Sequence, residues 1–182
     1  MSSLFVYQQT IPEQPFKVLT HAEDIASTLA EHGVGFERCQ VSSQLKPGIL
    51  AEDVIEACRG MLDTLTTERG YVARDVISVN DAHPQKAELR AGYLQEHHYQ
   101  ADELRLFVSG RGLLSFHIED RVFALLCEKN DLVSIPAGIR HWFDPGERPH
   151  LVAIRLFNGR EDAVAVFTGE TLAGRFPELD DL

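Results

Sequence analysis

The residues best able to do chemistry crowd into one stretch, Glu96-His97-His98-Tyr99-Gln100-Ala101-Asp102-Glu103, which lies just before an apolar run. In an extended chain alternate residues share a face, so His97 and Tyr99 point one way and His98 the other. Glu103 keeps the parity of His97 if the turn between them preserves the pleat. His141 opens a later apolar segment, and pairing of neighbouring strands would set it opposite the first cluster. His97, Glu103 and His141 together are two imidazoles and one carboxylate. That is the donor set of the facial triad, which holds redox iron and leaves positions open for O2 and substrate. Arg105 shares a face with Glu103. It is either a charged member of this site or a surface ion-pair partner, and a surface pair contributes little. Each histidine also has a plainer reading as a surface or hydrogen-bonded side chain, the default for His21, His32, His83 and His150. His117, on an alternating strand, reads as structural too. Spacing alone leaves the metal site and the plain reading both open.

The elements that must position these groups change character along the chain. From residue 103 the apolar pattern has a period of two, which predicts strands at Leu104–Val108, Leu113–Ile118, Val122–Cys127, Leu132–Ile135, His141–Phe143 and Leu151–Phe157. Gly110-Arg111-Gly112 reads as a turn between the first two. Leu114, Phe116 and Ile118 share one face, with Ser115 and His117 on the other. Short strands at this spacing suggest an antiparallel barrel or sandwich. The first half reads as mainly helical. Thr20-His21-Ala22-Glu23 has a capping-box pattern ahead of Ile25, Ala26, Leu29 and Ala30, and Gly33 is a natural stop. A second helix runs from about Ala51, with Val54, Ile55, Cys58, Met61, Leu62 and Leu65 as its apolar stripe and Gly70 as its end. Phe36–Val41 and Asp75–Asn80 suit strands, and a short helix follows Pro84. The tail from Glu178 to Leu182 reads as a solvated end.

Composition narrows the partners. The 182 residues are 44% hydrophobic and 25% charged, as in an ordinary folded domain, so residues 1–182 are expected to form a single domain with a helical part at 1–95 and a barrel part at 96–182. A net charge of −11 with no basic run argues against nucleic acid and anionic lipid as partners. No apolar run approaches the roughly 20 residues of a membrane helix. The N-terminus lacks a basic region followed by an apolar core. Cys39, Cys58 and Cys127 form no CxxC pair, which suits a reducing, cytoplasmic setting and argues against a Cys-rich zinc site.

Three longer segments, EHHYQADELRLFVSGRG at 96–112, CEKNDLVSIPAGIRHWFD at 127–144 and AIRLF at 153–157, resemble the acireductone dioxygenases of the cupin superfamily. VLTHAEDIASTLAEHGV at 18–34, DVISVN at 75–80 and FTGETLAGRFP at 167–177 extend the likeness over nearly the whole chain. The resemblance implies an α+β fold: a cupin-like double-stranded β-helix, an antiparallel barrel, with N-terminal helices packed on it. It implies one Fe2+ or Ni2+ per chain; the chain is expected to act on a small molecule and O2 as a monomer. The family's metal is held by three histidines and one glutamate, the first motif reading His-x-His-x-x-x-Glu. His97, Glu103 and His141 fall on three of those positions. The second histidine falls on Tyr99, and His98 could replace it only through a one-residue bulge. Arg105 matches an arginine thought to stabilise the substrate anion. Tyr93, Phe143 and Arg155 match positions lining the pocket, and a family tryptophan is here Ala163. The implied reaction splits a small enediol, 1,2-dihydroxy-3-keto-5-methylthiopentene, with O2 in methionine salvage. The two departures, Tyr99 and Ala163, keep two alternatives open: a diverged paralogue acting on another enediol or ketone, or a non-catalytic cupin that binds a small molecule or a protein.

Overall fold

The computed structural model describes residues 1–159 and 164–182, so Ala163 lies outside the described residues. Among the described residues eleven strands form two sheets that share one long strand. They are β1 (Ser3–Gln8), β2 (Lys17–Leu19), β3 (Gly35–Arg38), β4 (Ala73–Asn80), β5 (His97–His98), β6 (Glu103–Ile118), β7 (Arg121–Glu128), β8 (Asp131–Ile135), β9 (Arg140–Asp144), β10 (His150–Phe157) and β11 (Val166–Phe167). The first sheet runs β11-β5-β9-β6-β7-β1-β2, and the second joins β4, β10, β6, β8 and β3, with every pairing antiparallel. The helices are α1 (Ala22–Ala30), α2 (Ala51–Ala57), α3 (Arg59–Arg69) and α4 (Lys86–Tyr93). This is the α+β, cupin-type architecture that the sequence suggests. All four helices fall in the first 95 residues, but that stretch also supplies β1 to β4 to the sheets.

Side-chain alternation explains why the layers form. Leu151, Ala153, Phe107, Leu114, Phe116 and Phe143 fill the space between the sheets. Val152, Ile154 and Leu156 of β10 face outward, where Val54, Cys58, Leu62 and Leu65 of α2 and α3 cover them. β10 is buried on both faces, which is why it reads as a nearly unbroken apolar run. The outer face of the first sheet is covered by the C-terminal segment through Leu172, Phe176 and Leu179. The tail is therefore docked rather than solvated. Leu179 is buried, its N–H donates to Asp144 at 2.8 Å, and Glu178 accepts from Arg90 at 2.7 Å.

Three local expectations are corrected. The chain does not reverse at Gly110-Arg111-Gly112: β6 runs through, its residues up to Gly110 pairing with β8 and β10 and those from Arg111 with β7 and β9. Gly110, at φ 73°, makes the bend, beside a bulge opposite Val152 and Ala153. Thr20 does not cap α1: the helix begins at Ala22 behind His21, which makes no side-chain capping bond. The helix expected from Ala51 is broken at Cys58 into α2 and α3, although Gly70 ends it in the left-handed region as expected.

Gly110 yields a prediction. A Cβ there would lie 1.7 Å from the His150 carbonyl oxygen, in a backbone conformation that side chains rarely adopt. Gly110→Ala is expected to cost at least about 1–3 kcal/mol, read as a lower midpoint in urea unfolding. An unchanged midpoint would mean the bend does not need glycine.

Candidate active site

The candidate residues gather between the sheets at one end of the barrel, where the interior rows turn from apolar to polar. The register explains how. His97 of β5 lies directly opposite His141 of β9, and His141 lies opposite Phe116 of β6. On the other sheet, Asp75 of β4, Arg155 of β10 and Arg105 of β6 form one row across three adjacent strands. Glu103 precedes Arg105 by two residues on the same strand, so it shares Arg105's face one step along.

The two imidazoles stand 4.6 Å apart between centroids. Each is fixed by a backbone carbonyl: His97 Nδ1 donates to Gln95 at 2.6 Å and His141 Nδ1 to Ile139 at 2.8 Å. That choice of tautomer leaves both Nε2 lone pairs free. His141 Nε2 is buried with no partner among the described residues. Burial pushes His141 down to about 3 and lowers His97 as well, so both rings are neutral near pH 7, the form that ligates metal.

Glu103 is 1% exposed, and both carboxylate oxygens accept from Arg105, at 2.7 Å from Nε and 3.1 Å from Nη2. Burial alone would raise its pKa, but Arg105, Arg155 and His141 outweigh that and hold it below the usual glutamate range. The carboxylate is near enough for its charge to act on both histidines. Arg105 is also 1% exposed, so it does pair with Glu103, but deep inside rather than at the surface. Its guanidinium lies over the Phe143 ring, 5.0 Å from the centroid.

Tyr99 is 5% exposed beside both histidines, its ring 5.5 Å from His97 and 5.8 Å from His141. Its hydroxyl accepts from Arg155 Nη1 at 2.8 Å. Arg155 in turn donates through Nε to Asp75 at 2.7 Å, and its Nη2 also reaches Asp75. Burial would lower the Arg155 pKa, but Glu103, Tyr99 and Asp75 keep this arginine firmly charged. Asp75 was not among the sequence candidates. The only signal for it is its register opposite Arg155, which becomes readable once β4 is known to pair with β10.

A cleft of about 230 Å³ opens onto this group, lined by Tyr93, His97, Tyr99, Arg155, Ala165 and Phe167 among others. Phe143 and Arg105 are not on that wall; Phe143 sits behind Tyr93 at 6.1 Å between ring centroids. His98 pairs with Val166 of β11. His117 is structural, as expected, bonded to Glu96 at 2.7 Å and Gln9 at 3.1 Å. His97, His141 and Glu103 are candidate ligands here, while the Asp75 carboxylate is engaged by Arg155 and His98 Nδ1 is buried without a partner among the described residues. As they are oriented, no three His, Cys, Asp or Glu side chains among the described residues enclose an ion, and both oxygens of Glu103 are engaged by Arg105.

The buried histidines predict acid sensitivity. Their folded pKa values lie below the ordinary histidine value of 6.5, so between the two the unfolded chain binds more protons. Stability is full above about pH 6.5 and is lost as pH falls toward the folded values. The metal-free protein is expected to melt at a lower temperature at pH 5 than at pH 7, with a shallower slope in His141→Asn. Equal slopes would show that His141 is not buried as a neutral ring.

A barrel of two antiparallel sheets with histidines from one and charged groups from the other, meeting at its open end, is the site plan of a cupin. The sequence profile of the ARD/ARD′ family matches residues 4–165. The chain is 64% identical over 181 residues to an acireductone dioxygenase of Pseudomonas syringae pv. syringae (strain B728a), and 58% identical to one of Pseudomonas aeruginosa (strain UCBPP-PA14); both alignments cover 100% of each chain. Its fold matches that of the acireductone dioxygenase from Bacillus anthracis with a cadmium ion in its active center, with a TM-score of 0.78 and 27% identity over 92% of this chain and 98% of that one. The chain belongs to the ARD/ARD′ family and is an oxygenase of the acireductone dioxygenase type.

Proposed function

We propose that this chain cleaves the acireductone 1,2-dihydroxy-3-keto-5-methylthiopentene with O2 in methionine salvage, using one divalent ion held by His97, Glu103 and His141. The observation that carries the reading is the His97–His141 pair, with each Nδ1 donated to a backbone carbonyl and His141 Nε2 buried without a partner among the described residues. A buried imidazole nitrogen oriented by its second nitrogen is what a metal ligand requires. The Bacillus anthracis relative carries a cadmium ion in its active center, which supports a divalent ion as the partner of such a site.

The donors are nitrogen and oxygen, which suit Fe2+ or Ni2+. When bound, such an ion supplies Lewis acidity and redox chemistry toward the enediolate and O2. The iron form would give formate and 4-methylthio-2-oxobutanoate, and the nickel form CO, formate and 3-methylthiopropanoate. The chain's own residues do the rest. Arg155 on the cleft wall and Arg105 behind it place positive charge where an enediolate must sit, and fixed charge in a buried site stabilises such an anion far better than water does. Tyr93 and Phe167 offer apolar surface for the methylthio tail, with Phe143 packed behind Tyr93. Phe157 and Tyr99, 5.0 Å apart, help close the floor to water. The three cysteines are unpaired, which suits a reducing, cytoplasmic setting.

The test is metal content after purification without chelators, followed by O2 uptake with chemically generated acireductone. Bound metal with uptake supports the reading. Bound metal with uptake only on another enediol makes the chain a diverged paralogue, a result the exchange at Tyr99 favours. Absence of metal leaves a binding cupin.

A further inference from the structure

The Glu103–Arg105 pair is unusual in being closed on both sides. Both oxygens of one group meet two nitrogens of the other, and each residue is 1% exposed. The remaining nitrogen, Arg105 Nη1, is buried without a partner among the described residues. The cation beside it in the same row, Arg155, is already claimed by Asp75 and Tyr99. Glu103 therefore has one close counter-ion, and that counter-ion covers the oxygens an entering cation would need.

We infer that Arg105 competes with the divalent cation for Glu103, so that cation binding is an exchange of one positive partner for another rather than the filling of a ready cage. The inference rests on the metal reading above and concerns how that site is regulated. Its logic is electrostatic. Glu103 is too buried to stand unpaired, because an isolated carboxylate in such surroundings is strongly disfavoured. Without the ion, Arg105 neutralises it. With the ion, the two positive charges share one carboxylate, and each weakens the other's hold. Cation affinity is then set below what the donors alone would give. In most metal sites the hydrogen-bonding partner of a ligand steadies it, and removing that partner costs affinity about 10–100-fold. Competition reverses the sign.

The experiment is a titration of the full chain with Co2+ alone, followed by calorimetry and by the visible spectrum of the bound ion. Wild type is compared with Arg105→Gln, Arg105→Lys and His141→Ala. Arg105→Gln is expected to bind Co2+ about 10–100-fold more tightly than wild type while its metal-free form melts at a lower temperature. Arg105→Lys keeps the charge but has one compact head in place of a fork, so its affinity should fall between the two. Arg105→Lys carries the test if Arg105→Gln does not fold. Equal or weaker Co2+ binding in the Arg105 variants overturns the inference and makes Arg105 a support of Glu103. If His141→Ala binds Co2+ as well as wild type does, the ion is not held here. The metal reading then fails, and this inference with it.

Discussion

His141→Ala is expected to lower affinity for the divalent ion by more than about 100-fold, since even the outer partners of metal ligands are worth 10–100-fold. O2 uptake with acireductone should fall to background with it. The expectation follows from geometry: His141 is 1% exposed, faces His97 across one strand pair, and presents a nitrogen with no other use among the described residues. The contrast that makes the test specific is His117→Ala. His117 is also buried, but both its nitrogens are occupied by Glu96 and Gln9. That variant should melt earlier, by the cost of leaving Glu96 Oε2 without its partner while Oε1 keeps Thr168, yet keep its metal. Metal per chain, measured for both proteins after identical dialysis, decides. Retention of the ion by His141→Ala would move the site elsewhere in the molecule.

The pairing of His97 with His141 was legible because period-two alternation fixes which side chains share a face, and a strand pairing then needs only the correct neighbour. The strands of the second half were legible for the same reason. The path through Gly110 was not. A glycine between two apolar runs commonly marks a reversal, and nothing local distinguishes a hairpin from a bend that carries one strand into a second sheet. That distinction lies in the partners, with β8 and β10 on one side and β7 and β9 on the other. The break at Cys58 was hidden because Val54, Cys58 and Leu62 keep the same helical face across it. The docking of the tail was hidden by its charge: Glu178 and Asp180 suggest solvent until the Arg90 guanidinium and the backbone N–H of Glu147 are brought beside them by the fold.

The charged half of the site was legible only in part. Glu103 and Arg105 are two apart in sequence, so a shared face followed at once, but whether that face is solvent or interior depends on what packs over it. Burial turns a pair of little consequence into one whose disruption leaves an uncompensated charge. Asp75 was invisible because its partner lies on a strand far away in the chain. Arg155 was reached through family likeness and not through spacing.

Tyr99→His is expected to raise affinity for the ion at least about tenfold and to increase acireductone turnover, because it adds an imidazole beside those of His97 and His141. In the wild-type chain the phenol has another occupation. Its oxygen accepts from Arg155 while its ring packs on Phe157 and beside both histidines. A phenol used in this way needs no deprotonation, and it leaves His97, Glu103 and His141 as a three-donor site with an additional open position. Two further measurements follow. Tyr99→Phe should keep its metal, since only the bond to Arg155 is lost and Asp75 still holds that arginine. The ferric-loaded wild type should show no phenolate-to-metal absorption. The rival arrangement is a one-residue bulge, a local slip at β5 that would bring His98 round to the site in place of Tyr99. His98 Nδ1 is itself buried without a partner among the described residues, so that rival has a donor to offer. Metal per chain separates the two. A loss in His98→Ala with no gain in Tyr99→His would establish the slipped strand and remove Tyr99 from the account of the site. A gain in Tyr99→His with His98→Ala unchanged would identify residue 99 as the position where this chain gave up a metal donor.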